Sequence, residues 1–177
     1  MNDSAFSLSE QQVRFFETFG YLGFPGLMAD RIDEITKAFE TVWIERGGGH
    51  NGQPHAGEAR SCIVPFIDQS ATLSSLIDDP RIRALATTLL GDDFNCMGSD
   101  GNYYVGDTGW HSDGWHPEGK PQHLKIAFYL DPLTRDSGAL RVIPGSHRDG
   151  DGYAASLQEQ IRHSPDQWGL EGHDVPA

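Results

Sequence analysis

Three stretches in the second half of the chain indicate its fold: GSDGNYYVGDTGWHSD at residues 98–113, HLKIAFYL at residues 123–130 and SGALRVIPGSHR at residues 137–148. In the middle stretch Leu124, Ile126, Phe128 and Leu130 alternate with other residues, which predicts a strand with one apolar face. Shorter runs at 102–105 and 139–143 predict two more strands, and Gly, Asp and Pro turns join the runs. From residue 95 onward we therefore expect antiparallel strands.

The residues before this region predict helices. Ser9 is a favourable N-cap with Gln12 as its capping-box partner, and Gly20 ends the helix. A second helix is predicted from residue 30 to the glycine run at 47–49, and a third occupies residues 73–90 in two pieces. A brief strand is expected at 63–67. Helices followed by strands indicate a helix-supported β-barrel or β-sandwich.

Composition excludes several classes of partner. The chain has 177 residues, and its 13 Lys and Arg against 26 Asp and Glu give a net charge of −13. This negative charge argues against nucleic acid or an anionic membrane as a partner. No run approaches the ~20 apolar residues of a membrane span, and the first nine residues lack the features of a secretory signal. Because Cys62 and Cys96 form no CxxC pair, we expect a cytoplasmic protein.

His111 and Asp113 are the candidate metal ligands. Two residues apart on an extended segment, their side chains project to the same face. An imidazole and a carboxylate so placed can hold two adjacent positions on an octahedral metal, and a distant histidine would complete the facial triad of non-haem Fe(II) oxygenases. The pattern alone leaves alternatives open. It also fits a pair of solvated turn residues. The same pattern recurs at His147 and Asp149, where the histidine can brace a tight turn. His116 could also bind zinc together with His111 and Asp113.

The three stretches, in this order and spacing, resemble the phytanoyl-CoA dioxygenase family, and LSEQQVRFFETFGY at residues 8–21 is similar to that family's N-terminal helix. The resemblance implies a mainly β fold with N-terminal helices, whose core is a double-stranded β-helix (a cupin-like jelly roll). It implies one domain over residues 1–177, with a helical support region at 1–94 and the first part of the β-core at 95–177. It also implies an enzyme, a dioxygenase that uses Fe(II), 2-oxoglutarate and O₂ to hydroxylate a small organic substrate while 2-oxoglutarate becomes succinate.

Matched residue by residue, the resemblance implies that His111 and Asp113 are catalytic and are the first two iron ligands. The carboxylate of Asp113 favours hydroxylation, because halogenating relatives have a small residue at this position. Asn102 and Tyr104, on one face of the strand before the motif, and Lys125 are candidate cosubstrate-binding residues. Each has a plainer interpretation, since Asn102 and Tyr104 also suit the core or a turn and Lys125 also suits a solvent-facing position.

Two aromatic residues and an arginine lie near the motif. Trp110 and Trp115 flank it, either as walls of the site or as ordinary aromatic packing. Arg141 alternates with Leu140 and Val142, and we expect it at the surface rather than in the cavity.

The C-terminal region departs from the family pattern. The family's third iron ligand, a distal histidine, and the arginine that pairs with 2-oxoglutarate have no match in this chain. His163 and His173 lack the apolar strand and the trailing arginine that the distal ligand has. We therefore expect a truncated chain whose jelly roll lacks its last strands. Two alternatives stay open: an inactive binding or scaffold protein of the same fold, and a cupin-like enzyme that uses another metal.

Overall fold

A computed structural model describes residues 6–46, 60–105, 110–111, 123–134 and 137–148, together with 152, 155–157, 159 and 173–174. Its contacts divide the chain into two compact units. The first unit comprises Met1–Ser7 and Leu27–Asp107, and the second comprises Leu8–Gly26 and Thr108–Ala177. The candidate site residues are divided between them, with Asn102 and Tyr104 in the first unit and the other three in the second.

The described helices are α1 (Glu10–Phe19), α2 (Ile32–Glu45), α3 (Ala71–Ser74) and α4 (Pro80–Leu90), and short 3-10 helices cover Ile67–Gln69 and Ser146–Arg148. The described strands are β1 (Ser61–Ile63), β2 (Gly101–Tyr103), β3 (Arg141–Val142) and β4 (His173–Asp174). They form two antiparallel pairs, β1 with β2 and β3 with β4. No helix in the described part of the chain is both long and apolar enough to cross a membrane.

The core of the first unit forms around α2 and α4. Ile35, Val42 and Trp43 of α2 are buried, at the spacing of one helix face. The other buried apolar side chains of this unit are Ile63, Phe66, Leu73, Leu76, Ile82, Leu85 and Ala86. Because full burial of one large apolar side chain contributes about 1.5–3 kcal/mol, this set is the main source of the unit's stability.

An aromatic cluster fixes β2 against the core. The ring of Tyr103 lies 4.7 Å from that of Trp43 and 5.3 Å from that of Phe39, measured between centroids. Phe39 also contacts Phe66, at 5.0 Å. The backbone of Gly101 approaches Phe66 so closely that an added Cβ would lie 2.3 Å from its ring. Glycine at this position therefore lets β2 pack directly on the aromatic cluster.

Asp79 joins the beginnings of α2 and α4. Its carboxylate accepts hydrogen bonds from the Arg81 backbone N–H at 3.0 Å and from the Arg81 guanidinium at 2.9 Å. It also accepts one at 3.2 Å from Arg31, which lies at the start of α2. Asp79 is thus the N-cap of α4, and Pro80 follows at the first helical position, where its missing N–H is not needed.

In the second unit, helix α1 begins and ends where its sequence predicts. The Gln12 N–H donates to Ser9 Oγ at 3.2 Å, and the Ser9 N–H donates to Gln12 Oε1 at 2.9 Å, so the capping box is formed. Gly20 ends the helix with a φ of 83°. This left-handed conformation favours glycine because it has no Cβ.

The turn after β3 packs against the end of α1. The Gly145 N–H donates to the Phe19 carbonyl at 2.9 Å. Arg148 Nη2 donates to the Glu17 carbonyl at 2.9 Å, and His147 Nε2 lies 3.3 Å from the same oxygen. These donors reach carbonyls that the end of a helix leaves without intrahelical partners, and the charge of Arg148 suits that end of the helix dipole. The contacts favour the turn-bracing interpretation of His147.

Helices α1, α2 and α4 agree with the predicted bounds to within two residues. Helix α3 ends at Ser74, so turns occupy much of the predicted helical range 73–90 before α4 begins. The strands differ more. Strand β1 shares only Ile63 with the strand predicted at 63–67, and β2 and β3 are shorter than predicted. The predicted strand at 123–130 is wrong, because residues 123–129 have no regular secondary structure. Leu124, Ile126 and Leu130 are half-buried and Lys125 is exposed, so the apolar alternation is largely real. A strand also needs a ladder of backbone hydrogen bonds to a neighbouring strand, which the alternation of side chains does not supply.

Candidate functional site

His111 is the described member of the predicted metal-binding pair. Its side chain is exposed, so its imidazole is accessible to a ligand from solution. Asp113, as well as His116 of the alternative zinc set and Trp115, lies outside the described residues. The common face expected for His111 and Asp113 therefore stays a prediction.

The residue before His111 contacts β3. The Arg141 guanidinium lies over the half-buried ring of Trp110, with its Cζ 5.5 Å from the ring centroid. At this distance a guanidinium is attracted to the electron-rich face of the indole. Arg141 is exposed, as expected from the sequence, and it holds Trp110 from one side.

Asn102 and Tyr104 come together with Arg60, which the sequence did not single out. The register of β1 and β2 pairs Ser61 with Tyr103, and so places Arg60 beside the end of β2. Arg60 Nε and Nη2 both donate to Asn102 Oδ1, at 2.9 and 2.7 Å. The Arg60 guanidinium also lies over the ring of Tyr104, 4.7 Å from its centroid. We name Arg60, Asp100, Asn102 and Tyr104 the Arg60 cluster.

Asp100 completes the Arg60 cluster. Its Oδ2 accepts a hydrogen bond from Asn102 Nδ2 and lies 3.8 Å from Arg60 Nη2. The side chains of Arg60 and Asp100 are 45% and 37% exposed, and 58% of Tyr104 is exposed. The cluster is therefore open to small solutes, and it combines a cation with an oriented amide.

Lys125 is exposed on a segment without regular structure. This position differs from the inward-facing one expected of a cosubstrate ligand on a barrel strand. It agrees with the plainer interpretation of a solvent-facing lysine, and a role for Lys125 toward 2-oxoglutarate stays a prediction.

Among the described residues, the Asp79 network shows large pKa shifts. The hydrogen bonds from Arg81 hold the pKa of Asp79 well below its ordinary value of 3.8, despite the opposing effect of burial. The same carboxylate raises the pKa of Arg81. Because these groups cap and join helices, the shift marks a structural network rather than a group that exchanges protons in a reaction.

Among the described side chains, no group of three or more His, Cys, Asp and Glu residues is placed to hold a metal ion. The donor types of His111 and Asp113, an imidazole nitrogen and a carboxylate oxygen, are those that bind non-haem Fe(II). The chemistry of this donor set therefore fits the iron that the sequence predicts.

Comparison with known proteins decides the family. The family model described as phytanoyl-CoA dioxygenase (PhyH) matches residues 16–170. The chain belongs to the phytanoyl-CoA dioxygenase family. The family has a cupin-like jelly-roll fold, and its enzymes use Fe(II), 2-oxoglutarate and O₂. The resemblance inferred from the motifs is thus confirmed, while the roles of the individual site residues stay predictions.

Several curated proteins are similar to this member of the family. An ectoine dioxygenase of Sphingopyxis alaskensis is 30% identical over 92% of this chain and 60% of its own length. An ectoine dioxygenase of Bordetella bronchiseptica is 29% identical over 93% of this chain and 61% of its own length. An L-proline trans-4-hydroxylase of Streptomyces griseoviridis is 34% identical over 47% of this chain and 34% of its own length. The chain spans about 60% of the length of the two ectoine dioxygenases, and no solved structure gives a significant match.

Proposed function

We propose that this protein is an Fe(II)- and 2-oxoglutarate-dependent dioxygenase that hydroxylates a small organic substrate. The observation that carries the proposal is the family match over residues 16–170, which includes His111 and Asp113 within a metal-binding pattern. In the balanced reaction a substrate C–H bond, O₂ and 2-oxoglutarate give the hydroxylated substrate, succinate and CO₂. The core that carries this chemistry is a cupin-like jelly roll.

The proposed roles of the residues follow from their donor types. The His111 imidazole and the Asp113 carboxylate hold the iron, which when bound supplies the oxidising chemistry. The Asn102 amide and the Tyr104 hydroxyl hydrogen-bond to 2-oxoglutarate, and Lys125 contributes a positive charge toward it. The contacts of Arg60 with Asn102 and Tyr104 support the cosubstrate assignment, because they place a cation beside two groups that can hydrogen-bond to a carboxylate.

We also propose the class of substrate. The relatives named above are ectoine dioxygenases and an L-proline hydroxylase, and both ectoine and L-proline are small cyclic carboxylic acids with a ring nitrogen. A compound of this class is the proposed substrate. The net charge of −13 accords with a small ligand and opposes a polyanionic one.

Turnover of 2-oxoglutarate tests the proposed activity. The 177-residue chain is incubated with Fe(II), 2-oxoglutarate and O₂, with and without ectoine or L-proline, and succinate is measured. Because the distal histidine and the arginine that pairs with 2-oxoglutarate have no match in this chain, we expect only slow Fe(II)-dependent succinate formation. One of the cyclic acids should stimulate it and give a hydroxylated product whose added mass is one oxygen atom. The His111→Ala variant should lose both products, whereas His123→Ala, which changes another exposed histidine, should keep them. Succinate formation that is equal in the wild type and in His111→Ala would contradict the proposal.

A further inference from the structure

The Arg60 cluster contains a carboxylate of its own. Asp100 directly precedes β2, and its side chain returns to accept a hydrogen bond from Asn102 Nδ2. The same oxygen lies 3.8 Å from Arg60 Nη2. One carboxylate oxygen therefore contacts both the amide and the cation of the cluster. A carboxylate of a bound acid at this position would accept the same amide hydrogen bond and lie beside the same cation.

The orientation of the Asn102 amide strengthens this similarity. Two guanidinium N–H groups of Arg60 donate to Asn102 Oδ1, so the oxygen of the amide is directed at the cation. The amide nitrogen is consequently directed away from Arg60, and it donates to Asp100. Arg60 thereby fixes Asn102 as a hydrogen-bond donor toward a carboxylate, and in this structure the carboxylate is that of Asp100.

The balance of charge has a consequence for an anionic ligand. Arg60 and Asp100 together carry no net charge, so the cluster attracts an acid less strongly than Arg60 alone would. An incoming carboxylate must also displace Asp100 from Asn102 to use the same donor. Both effects weaken binding of a dianion such as 2-oxoglutarate. The partial exposure of Arg60 and Asp100 keeps each effect small, because water and salt screen exposed charges.

We infer that Asp100 is an internal competitor of the cosubstrate, whose carboxylate occupies the Asn102 amide donor beside Arg60 when 2-oxoglutarate is absent. The inference rests on the proposed function, because it takes Asn102 as a ligand of 2-oxoglutarate. Asp100 then raises the concentration of 2-oxoglutarate that is needed for the protein to bind it. This competitor role changes the affinity for 2-oxoglutarate. An ion pair that only ordered the chain before β2 would leave that affinity unchanged or lower it when removed.

Binding of 2-oxoglutarate to neutral variants of Asp100 tests the inference. Affinities are measured by calorimetry on the full chain with Fe(II) under anaerobic conditions, so that no turnover is involved. Asp100→Asn removes the charge and keeps the size, and Asp100→Ala also removes the hydrogen-bond acceptor. Asp93→Asn is the matched control, because it removes the same charge from an exposed residue of the same unit. Thermal unfolding of each variant shows that it is folded.

We expect both Asp100 variants to bind 2-oxoglutarate about three- to fivefold more tightly than the wild type, which is the upper part of the range for exposed ion pairs. Asp93→Asn should bind as the wild type does, and Asn102→Ala should bind more weakly. If Asn102→Ala weakens binding while both Asp100 variants match the wild type or bind less tightly, the competitor role is wrong and the proposed function stands. If Asn102→Ala leaves binding unchanged, or if no protein binds 2-oxoglutarate, the cosubstrate assignment fails and the competitor role fails with it.

Discussion

Replacement of Asp79 should destabilise the first unit more than replacement of any exposed acidic residue. The Asp79 side chain is 4% exposed, and it accepts hydrogen bonds from Arg81 and Arg31, whose side chains are 21% and 19% exposed. Two substitutions separate its functions. Asp79→Asn keeps the size and an N-cap oxygen but removes the charge, whereas Asp79→Ala removes both.

The structure sets the expected magnitudes. Loss of an N-cap side chain costs about 1 kcal/mol, and removal of one partner from a buried ion pair costs about 3–5 kcal/mol. Because Arg31 and Arg81 keep some exposure to water, the lower end of the second range applies. We expect Asp79→Ala to lower the free energy of unfolding by about 3–4 kcal/mol and Asp79→Asn by about 2–3 kcal/mol. Either loss is a large part of the free energy of unfolding of a typical domain, which is about 5–15 kcal/mol.

The stabilisation that the Asp79 carboxylate provides should also depend on pH. The pKa of Asp79 in the folded chain lies below its ordinary value of 3.8, so at acid pH the unfolded state binds the proton more readily than the folded state does. Stabilisation by the ionised carboxylate is therefore complete above about pH 5 and decreases as the pH falls toward the folded pKa. The difference in stability between the wild type and Asp79→Asn should shrink over that acid range and stay constant from pH 5 to 7.

Urea unfolding followed by tryptophan fluorescence, to which the buried Trp43 of the first unit contributes, measures these differences. The matched control is Asp78→Asn, because the neighbouring Asp78 side chain is 79% exposed and its ion pair with Arg83 spans 3.5 Å. An exposed pair of this kind contributes about 0–1 kcal/mol, so the control should unfold close to the wild type. Equal unfolding midpoints for Asp79→Asn and Asp78→Asn at pH 7 would refute the structural role of the Asp79 network.

Two further predictions concern helix α1. Gly20→Ala should lower the free energy of unfolding by about 1–2 kcal/mol because of the left-handed backbone, and further because the added Cβ would lie 2.4 Å from the His147 ring. Gly26→Ala is the control, since Gly26 has a φ of 72° and no atom near an added Cβ. The extra loss of stability in Gly20→Ala measures the His147 contact, and equal losses would contradict that contact. Ser9→Ala should lower the free energy of unfolding by about 1 kcal/mol through loss of the capping box. A second replacement at Gln12 should then add little, and full additivity of the two changes would show that the box is not formed.

The helices could be predicted because their signals are local. Ser9 and Gln12 meet within a single turn, and Asp79 lies directly before Pro80, so neighbouring residues determine where α1 and α4 begin. Gly20 likewise ends α1 by its own conformational preference. Such signals depend little on the rest of the fold, which explains why the observed bounds of α1 and α4 agree with the predicted ones.

Strands and the Arg60 cluster depend on residues far apart in the chain. Alternation at 123–130 correctly indicated that Leu124, Ile126 and Leu130 are half-buried, whereas Phe128 is exposed. Strand structure also needs a paired neighbour, which alternation does not reveal. Arg60 and Asn102 are separated by 42 positions, and only the pairing of β1 with β2 brings them together. The order of motifs from Gly98 to Arg148 gave the family, because motif order is visible in one sequence while contacts between distant side chains are not.

Fe(II) binding by the histidine and aspartate variants tests the central claim most directly. Fe(II) affinity is measured anaerobically in the presence of 2-oxoglutarate, and formation of the visible absorption band of the iron–2-oxoglutarate complex is recorded. We expect His111→Ala and Asp113→Ala each to lose the band and to bind Fe(II) at least about tenfold more weakly, a change of about 1.4 kcal/mol or more. His123→Ala and His116→Ala should bind as the wild type does. Unchanged Fe(II) affinity in either His111→Ala or Asp113→Ala would contradict the assignment of this pair as iron ligands.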